Sequence, residues 1–453
     1  MSRPYLPWLR LCAQTDSDVL RGSMMDLHDY LNQAGWRRAL HELARFGYHV
    51  LRRLRAARPT VPPGPAWIVV IDTPGVGGVL TLQPLLAARR DDRTLVLAVT
   101  DFVSRDPGFA QCRAACPDAV VVNIDRSRGR LQRDGALLRA VAALLRRHPA
   151  LAPAVPGFLW RQHAYASVAR ALFAACDAKA VVLFNERMLP SASFSEAGRR
   201  AGIPTVAVQH GNFVDNYLPV LVDHYFTWGR FHSQWLADRG ATPRSRAIGS
   251  PRMDSRGEPV RRDRPLPAAG PVHLVFFSQV GTASVPPSMI SATRRAMLEL
   301  AGDDRFRVSV KLHPLDAAAH WAREPGPVDR MNFIDSRATL SSVLEDADIA
   351  CSFYSTVLAE ALLWDLPVVQ LNPFPETVAG FPDADGIPSV TSARELVDRI
   401  DRWRRAPDEL AALLAHLRRL REGYFSHLGQ ASREFWVALD TLAAPGTTAV
   451  APG

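Results

Sequence analysis

The chain has 453 residues, 47% of them apolar and 22% charged, enough to bury two hydrophobic cores. Its 54 basic and 45 acidic residues leave a net charge of +9, which suits nucleotides, acidic glycans or an anionic membrane surface. No zinc-finger spacing, aromatic RNA-binding signature or long basic run supports a nucleic-acid partner, and five scattered cysteines (Cys12, Cys112, Cys116, Cys176, Cys351) argue against a disulfide framework.

Residues 1–60 read as a helical N-terminal extension, with Leu40, Leu43, Ala44, Val50, Leu51 and Leu54 on one face among arginines. Short apolar runs at 67–71, 95–99, 119–124, 180–184 and 205–208 then alternate with longer helical patterns. That alternation predicts a parallel sheet covered by helices on both faces, a doubly wound domain over 61–257. Prolines and glycines crowd residues 255–271 and place a linker at 258–271. The alternation resumes at 273–277, 308–311, 332–334, 349–351 and 367–371, predicting a second doubly wound domain over 272–442 and a flexible tail at 443–453. No apolar run approaches the roughly 20 residues of a spanning helix. The expectation is a cytoplasmic protein, with peripheral contact at the inner face of an anionic membrane left open.

The residues able to carry chemistry follow predicted strands, where open parallel sheets bind ligands. Lys311 closes one strand, and Pro314 fixes the turn that aims His313; Lys179 and Lys311 are the only lysines of the chain. About 40 residues on, Ser352 ends another strand, and Ser355 and Thr356 precede a helical stretch over 357–364 with Glu360 one turn along. Hydroxyls and backbone N–H groups there would receive phosphate oxygens, and Glu360 would accept from ribose hydroxyls. Capping by Ser355 or Thr356 and a solvated Glu360 are the alternative.

In the first domain, His210 and Gly211 follow the 205–208 run, and His210 is the residue type most readily used as a base near neutral pH. Asp215 and Glu186 are alternative bases. Arg252, in the segment 249–254, would contact phosphate or acceptor, or pair locally with Asp254. The glycine-rich stretch 72–78 departs from the dinucleotide fingerprint and lacks the phosphate-loop lysine.

Taken in order, the turn at 209–211, the segments 226–229 and 249–254, the turn at 311–314 and the stretch 355–367 resemble bacterial surface-carbohydrate glycosyltransferases of GT-B fold. Capsule-polysaccharide transferases and teichoic-acid glycerophosphotransferases share these HG, G-x-P-R-x-D, HP and serine/threonine-rich elements. The resemblance covers roughly residues 181–371. It implies two Rossmann-like domains facing a cleft, with donor bound through His313, Ser355, Thr356 and Glu360, and with His210 as a base or phosphate contact. The HP turn also resembles CMP-sugar sialyltransferases, whose acidic-pair-glycine base motif has no match here. Residues 424–429 stand where such transferases carry an acidic-glycine turn.

The expected function is metal-independent transfer of a sugar from a nucleotide donor to a bacterial surface glycan or its lipid-linked precursor, with no cofactor. Transfer of an alcohol phosphate from a CDP-linked donor and a non-catalytic glycan- or nucleotide-binding module are the alternatives.

Overall fold

The apolar runs form strands whose residues are buried on both faces, as parallel sheets covered by helices require. The computed structural model describes residues 56–73, 75, 78–130, 155–213, 217–241, 243–256, 266–281, 285, 287–375 and 386–443, with scattered positions between 40 and 53 and between 139 and 152. Asp215, the extension before residue 40, most of the expected linker and the tail from 444 lie outside the described residues.

The chain divides into two units. In the first, strands β1 (Pro65–Ile71), β2 (Thr94–Val99), β3 (Val120–Asn123), β4 (Asp177–Leu183), β5 (Thr205–Val208), β6 (His224–Thr227) and β7 (Arg244–Ala247) form one sheet. Their order is β3-β2-β1-β4-β5-β6-β7, and every pairing is parallel. Alternate residues of β1 feed opposite cores. Trp67, Val69 and Ile71 meet Leu82 and Leu85 of the helix Val79–Ala88 on one face. Ala66, Ile68 and Val70 meet Val168 and Leu172 of the helix Val155–Ala175 on the other.

The end of the chain returns to this first unit. The helix Ala431–Ala443 sends Phe435, Trp436 and Leu439 into the core that holds Trp67, and the Trp436 indole donates to the Leu85 carbonyl at 2.8 Å. Residues 426–442 therefore pack with the first domain, which corrects the expected span of 272–442 for the second. The cause is visible at the segment 249–254. Asp254 accepts from the N–H groups of Ala431 at 2.9 Å and Ser432 at 2.7 Å, capping the helix across 177 residues of chain. Gly249 has φ +93°, and a Cβ there would fall within 2.7 Å of the Ala431 methyl and collide with the Ser426 carbonyl.

The described positions between 40 and 53 are helical, as expected. Phe46 stacks edge-on with Trp160 at 6.2 Å, and Arg53 lies 5.4 Å over the Tyr165 ring. Of the expected stripe, Leu40 and Leu51 are 56% and 66% exposed, and the described contacts of this segment are an aromatic and a cation–π pair.

The second unit has strands β8 (Val272–Phe277), β9 (Phe306–Lys311), β10 (Asn332–Ile334), β11 (Ile349–Ser352), β12 (Val368–Leu371) and β13 (Ser389–Val390). These run parallel in the order β10-β9-β8-β11-β12-β13. All six residues of β8 are buried, and Leu274 and Phe276 join Met297, Leu298, Leu396 and Ile400 from the helices Pro287–Ala301 and Ala393–Arg405. In each sheet the strands wind outward in both directions from the first one. The reversal falls between β1 and β4 in one sheet and between β8 and β11 in the other, the crevice where such sheets take ligands.

Candidate active site

The loops leaving β1, β4 and β5 gather the ionisable groups of the first domain. Asp72 is the residue after β1, and its Oδ2 accepts from the Ser191 hydroxyl at 2.8 Å, at the start of the helix Ser191–Arg200. Its Oδ1 is buried without a hydrogen-bond partner among the described residues. Burial, assisted by the charge of Glu186, raises the Asp72 pKa to about 7 against the opposing Ser191 hydrogen bond. Glu186, beyond β4, is fully buried, and neither carboxylate oxygen has a hydrogen bond of normal geometry among the described residues. Arg187 Nε stands 4.0 Å away, and burial still raises the Glu186 pKa despite that cation. The buried Tyr225 hydroxyl neighbours the Glu186 carboxyl and is pushed well above its ordinary range by burial and then by that carboxyl.

His210 follows β5 on a pinned turn. The Gln209 amide donates to the Gly211 carbonyl at 2.9 Å and accepts from the Trp228 backbone at 2.7 Å, while the Trp228 indole donates to the Gln209 carbonyl at 2.8 Å. His210 Nε2 lies 3.3 Å from the Tyr217 hydroxyl, and the Arg187 guanidinium lies 4.5 Å over the Tyr217 ring. Arg252 lies 5.9 Å over the Trp228 ring. Burial first, then the charges of Arg187 and Arg252, lower the His210 pKa to about 4, so the ring is neutral at pH 7. Arg252 is thus a cation beside His210 and Trp228, and Asp254 accepts from the helix N–H groups of Ala431 and Ser432.

In the second domain, loops from four strands are tied together beside the reversal point. The His313 N–H donates to the Ser278 hydroxyl just past β8 at 2.9 Å, and its ring Nδ1 accepts from the Leu315 N–H at 3.1 Å. An accepting Nδ1 leaves the proton of the neutral ring on Nε2, a ready donor to an anion. Burial lowers the His313 pKa, reinforced by Lys311 and opposed by Asp316. Across β8, the Tyr354 N–H donates to the Gln279 side chain at 2.9 Å, its hydroxyl to the Val280 carbonyl at 3.1 Å, and Gln370 of β12 to the Phe353 carbonyl at 2.8 Å. His313–Pro314 and Ser355–Thr356 therefore flank the same β8 loop.

No family model matches the chain, and no curated protein matches it in sequence. Solved structures do resemble it. A protein of Listeria monocytogenes assigned as a UDP-N-acetylglucosamine 2-epimerase has a TM-score of 0.51 at 12% identity, with 84% of this chain and 96% of that one covered. The UDP-GlcNAc 2-epimerase of Neisseria meningitidis, bound to UDP-GlcNAc, has a TM-score of 0.48 at 13% identity, over 83% of this chain and 99% of that one. An O-GlcNAc transferase of Thermobaculum terrenum has a TM-score of 0.44 at 16% identity, over 95% of this chain and 78% of that one. With the two doubly wound sheets, the Listeria likeness decides the architecture. The fold is GT-B.

Within this GT-B chain, the candidates fall into the two domains unevenly. Glu186, His210, Gly211 and Arg252 gather in the first, bridged by Arg187 and Tyr217, which the sequence did not single out. In the second, the Lys311 amino group donates to the Ser336 carbonyl at 2.7 Å and is held below its ordinary pKa by burial. Ser352 departs from its expected role. It is fully buried at the end of β11, and its hydroxyl is spent on the Phe277 carbonyl at 2.7 Å, so it braces two strands instead of meeting a ligand. Ser355 accepts from the Val357 N–H at 3.2 Å, at the start of the helix Val357–Ala361. Glu360 is 7% exposed, which removes the solvated alternative. Asp72 is the residue that motif reading passed over. The available signal was its position directly after the first apolar run.

Among the described residues, no group of three or more His, Cys, Asp or Glu is arranged to hold a metal ion, and no helix is long and apolar enough to cross a membrane.

Proposed function

We propose that this chain is a nucleotide-sugar-dependent glycosyltransferase, with the donor held by the second domain and the acceptor hydroxyl by the first. The observation that carries this reading is the pair of polar sites, each at the strand-order reversal of its own sheet. One is rich in neutral hydrogen-bond donors, and the other in proton acceptors. In the second domain, His313 Nε2–H, the Ser355 and Thr356 hydroxyls and Lys311 are the groups to meet donor phosphates, with Glu360 toward the ribose. They would stabilise the negative charge that gathers on the leaving phosphate as the glycosidic bond breaks. In the first domain, a proton acceptor removes the acceptor proton, while Arg187, His210, Gly211 and Arg252 orient the acceptor. Metal-independent transfer to a bacterial surface glycan or its lipid-linked precursor is the finer form of the proposal, supported by the ordered motifs of residues 181–371.

Thermal melts of the full chain with CMP, CDP, UDP and GDP test the donor half. One nucleotide at about a hundred times its Kd should stabilise the protein by about 2.7 kcal/mol, and His313→Ala should weaken that binding. Melts that none of the four nucleotides moves would contradict the reading.

A further inference from the structure

Among the described residues beside these loops, Asp72, Glu186 and His210 are proton acceptors of unequal fitness, and their surroundings rank them. His210 feels the charges of both Arg187 and Arg252, with Nε2 toward Tyr217, so a proton delivered there adds a cation beside two others. Glu186 is 0% exposed as a whole residue and has the Arg187 cation 4.0 Å from its carboxylate, which opposes protonation. Asp72, at the reversal point, is partly exposed as a residue; its Oδ2 accepts from Ser191, and its buried Oδ1 has no hydrogen-bond donor among the described residues. A proton delivered there removes a buried charge instead of creating one.

We propose that Asp72 is the catalytic base of the transfer, with Glu186 as the positioning residue behind it; this rests on the glycosyltransferase reading above. The acceptor oxygen forms a bond to the anomeric carbon, and the anomeric carbon–phosphate oxygen bond breaks with its electron pair leaving on the nucleotide. The acceptor proton passes to an Asp72 carboxylate oxygen and then to solvent. Ser191 fixes the carboxylate rotamer by hydrogen-bonding Oδ2, which orients the group for a hydroxyl bound beyond β1. Among the described residues, the groups facing Asp72 are Ser191 and Glu186, and those facing Glu186 are Arg187, Tyr217 and Tyr225. Because burial sets the Asp72 pKa at about 7, turnover should rise with pH through that value as the carboxylate ionises.

The test uses nucleotide release by the full chain from UDP-glucose, UDP-N-acetylglucosamine, GDP-mannose and CMP-N-acetylneuraminate, with water as acceptor, between pH 5 and 9. Asp72→Asn, which keeps an acceptor for Ser191, should lose about 100-fold or more in kcat with donor KM within about threefold, and should lose the limb near pH 7. Glu186→Gln should keep measurable turnover and move that limb to lower pH, a shift that a purely structural role would not produce. Wild-type turnover accompanied by an Asp72→Asn rate and pH profile like wild type would overturn the base while leaving the transferase reading intact. Failure of wild type to release nucleotide from any of the four donors would contradict the transferase reading, and the base with it.

Discussion

Asp72 works against the stability of the fold, and the sign of that effect follows from its surroundings. Its folded pKa of about 7 exceeds the ordinary 3.8, so between those values the unfolded chain is ionised while the folded one holds a proton. The destabilisation is absent below about pH 4, grows as pH rises, and is complete above about pH 7. Asp72→Asn should therefore melt higher than wild type at pH 8, by at most about 4 kcal/mol, with the gain shrinking toward pH 4. Denaturant titrations at several pH values measure it, and a variant less stable than wild type at pH 8 would contradict the burial assigned here. This residue was hard to find in the sequence because one aspartate after an apolar run looks like any loop residue. Its significance comes from strand order, which makes β1 and β4 neighbours although 105 residues separate their closes at Ile71 and starts at Asp177. His210 and His313 were legible because a turn glycine or proline beside an imidazole, directly after an apolar strand, is a local pattern. Ser352 misled for the opposite reason: a hydroxyl at a strand end reads the same whether it faces a ligand or, as here, the carbonyl of the neighbouring strand.

At the level of elements, the segment 249–254 joins the first sheet to the returning helix Ala431–Ala443. Gly249→Ala imposes a side chain at φ +93° against Ser426 and Ala431, and should cost about 2–4 kcal/mol. Asp254→Ala removes the acceptor for two helix N–H groups and should cost about 1–2 kcal/mol. Both losses should appear in the unfolding of the first domain, which amide hydrogen exchange in β1 and β4 would report; protection unchanged in both variants would contradict the docking. Continuous apolar runs made β1, β2, β5, β8 and β10 readable to within a residue or two. The short β6, the polar edge strand β7 (Arg244–Ala247) and the two-residue β13 carry no such run and were missed. The helix Ala431–Ala443 fell inside the span expected for the second domain, because sequence periodicity does not say which core receives a helix; the answer lay in the Asp254 cap.

For the whole molecule, the alternation of short apolar runs with helical stretches was enough to predict two doubly wound domains, because parallel sheets buried on both faces leave that signature. The chemistry transferred is less visible, since GT-B architecture serves more than one reaction and a site for nucleotide does not specify what the nucleotide carries. The most direct measurement is product analysis by mass spectrometry after the full chain is incubated with UDP-, GDP- and CMP-linked sugars and a membrane glycan fraction. For a glycosyltransferase, the sugar mass should appear on the acceptor with one nucleotide released per transfer. Donor recovered intact, or isomerised at the sugar without nucleotide release, would contradict it.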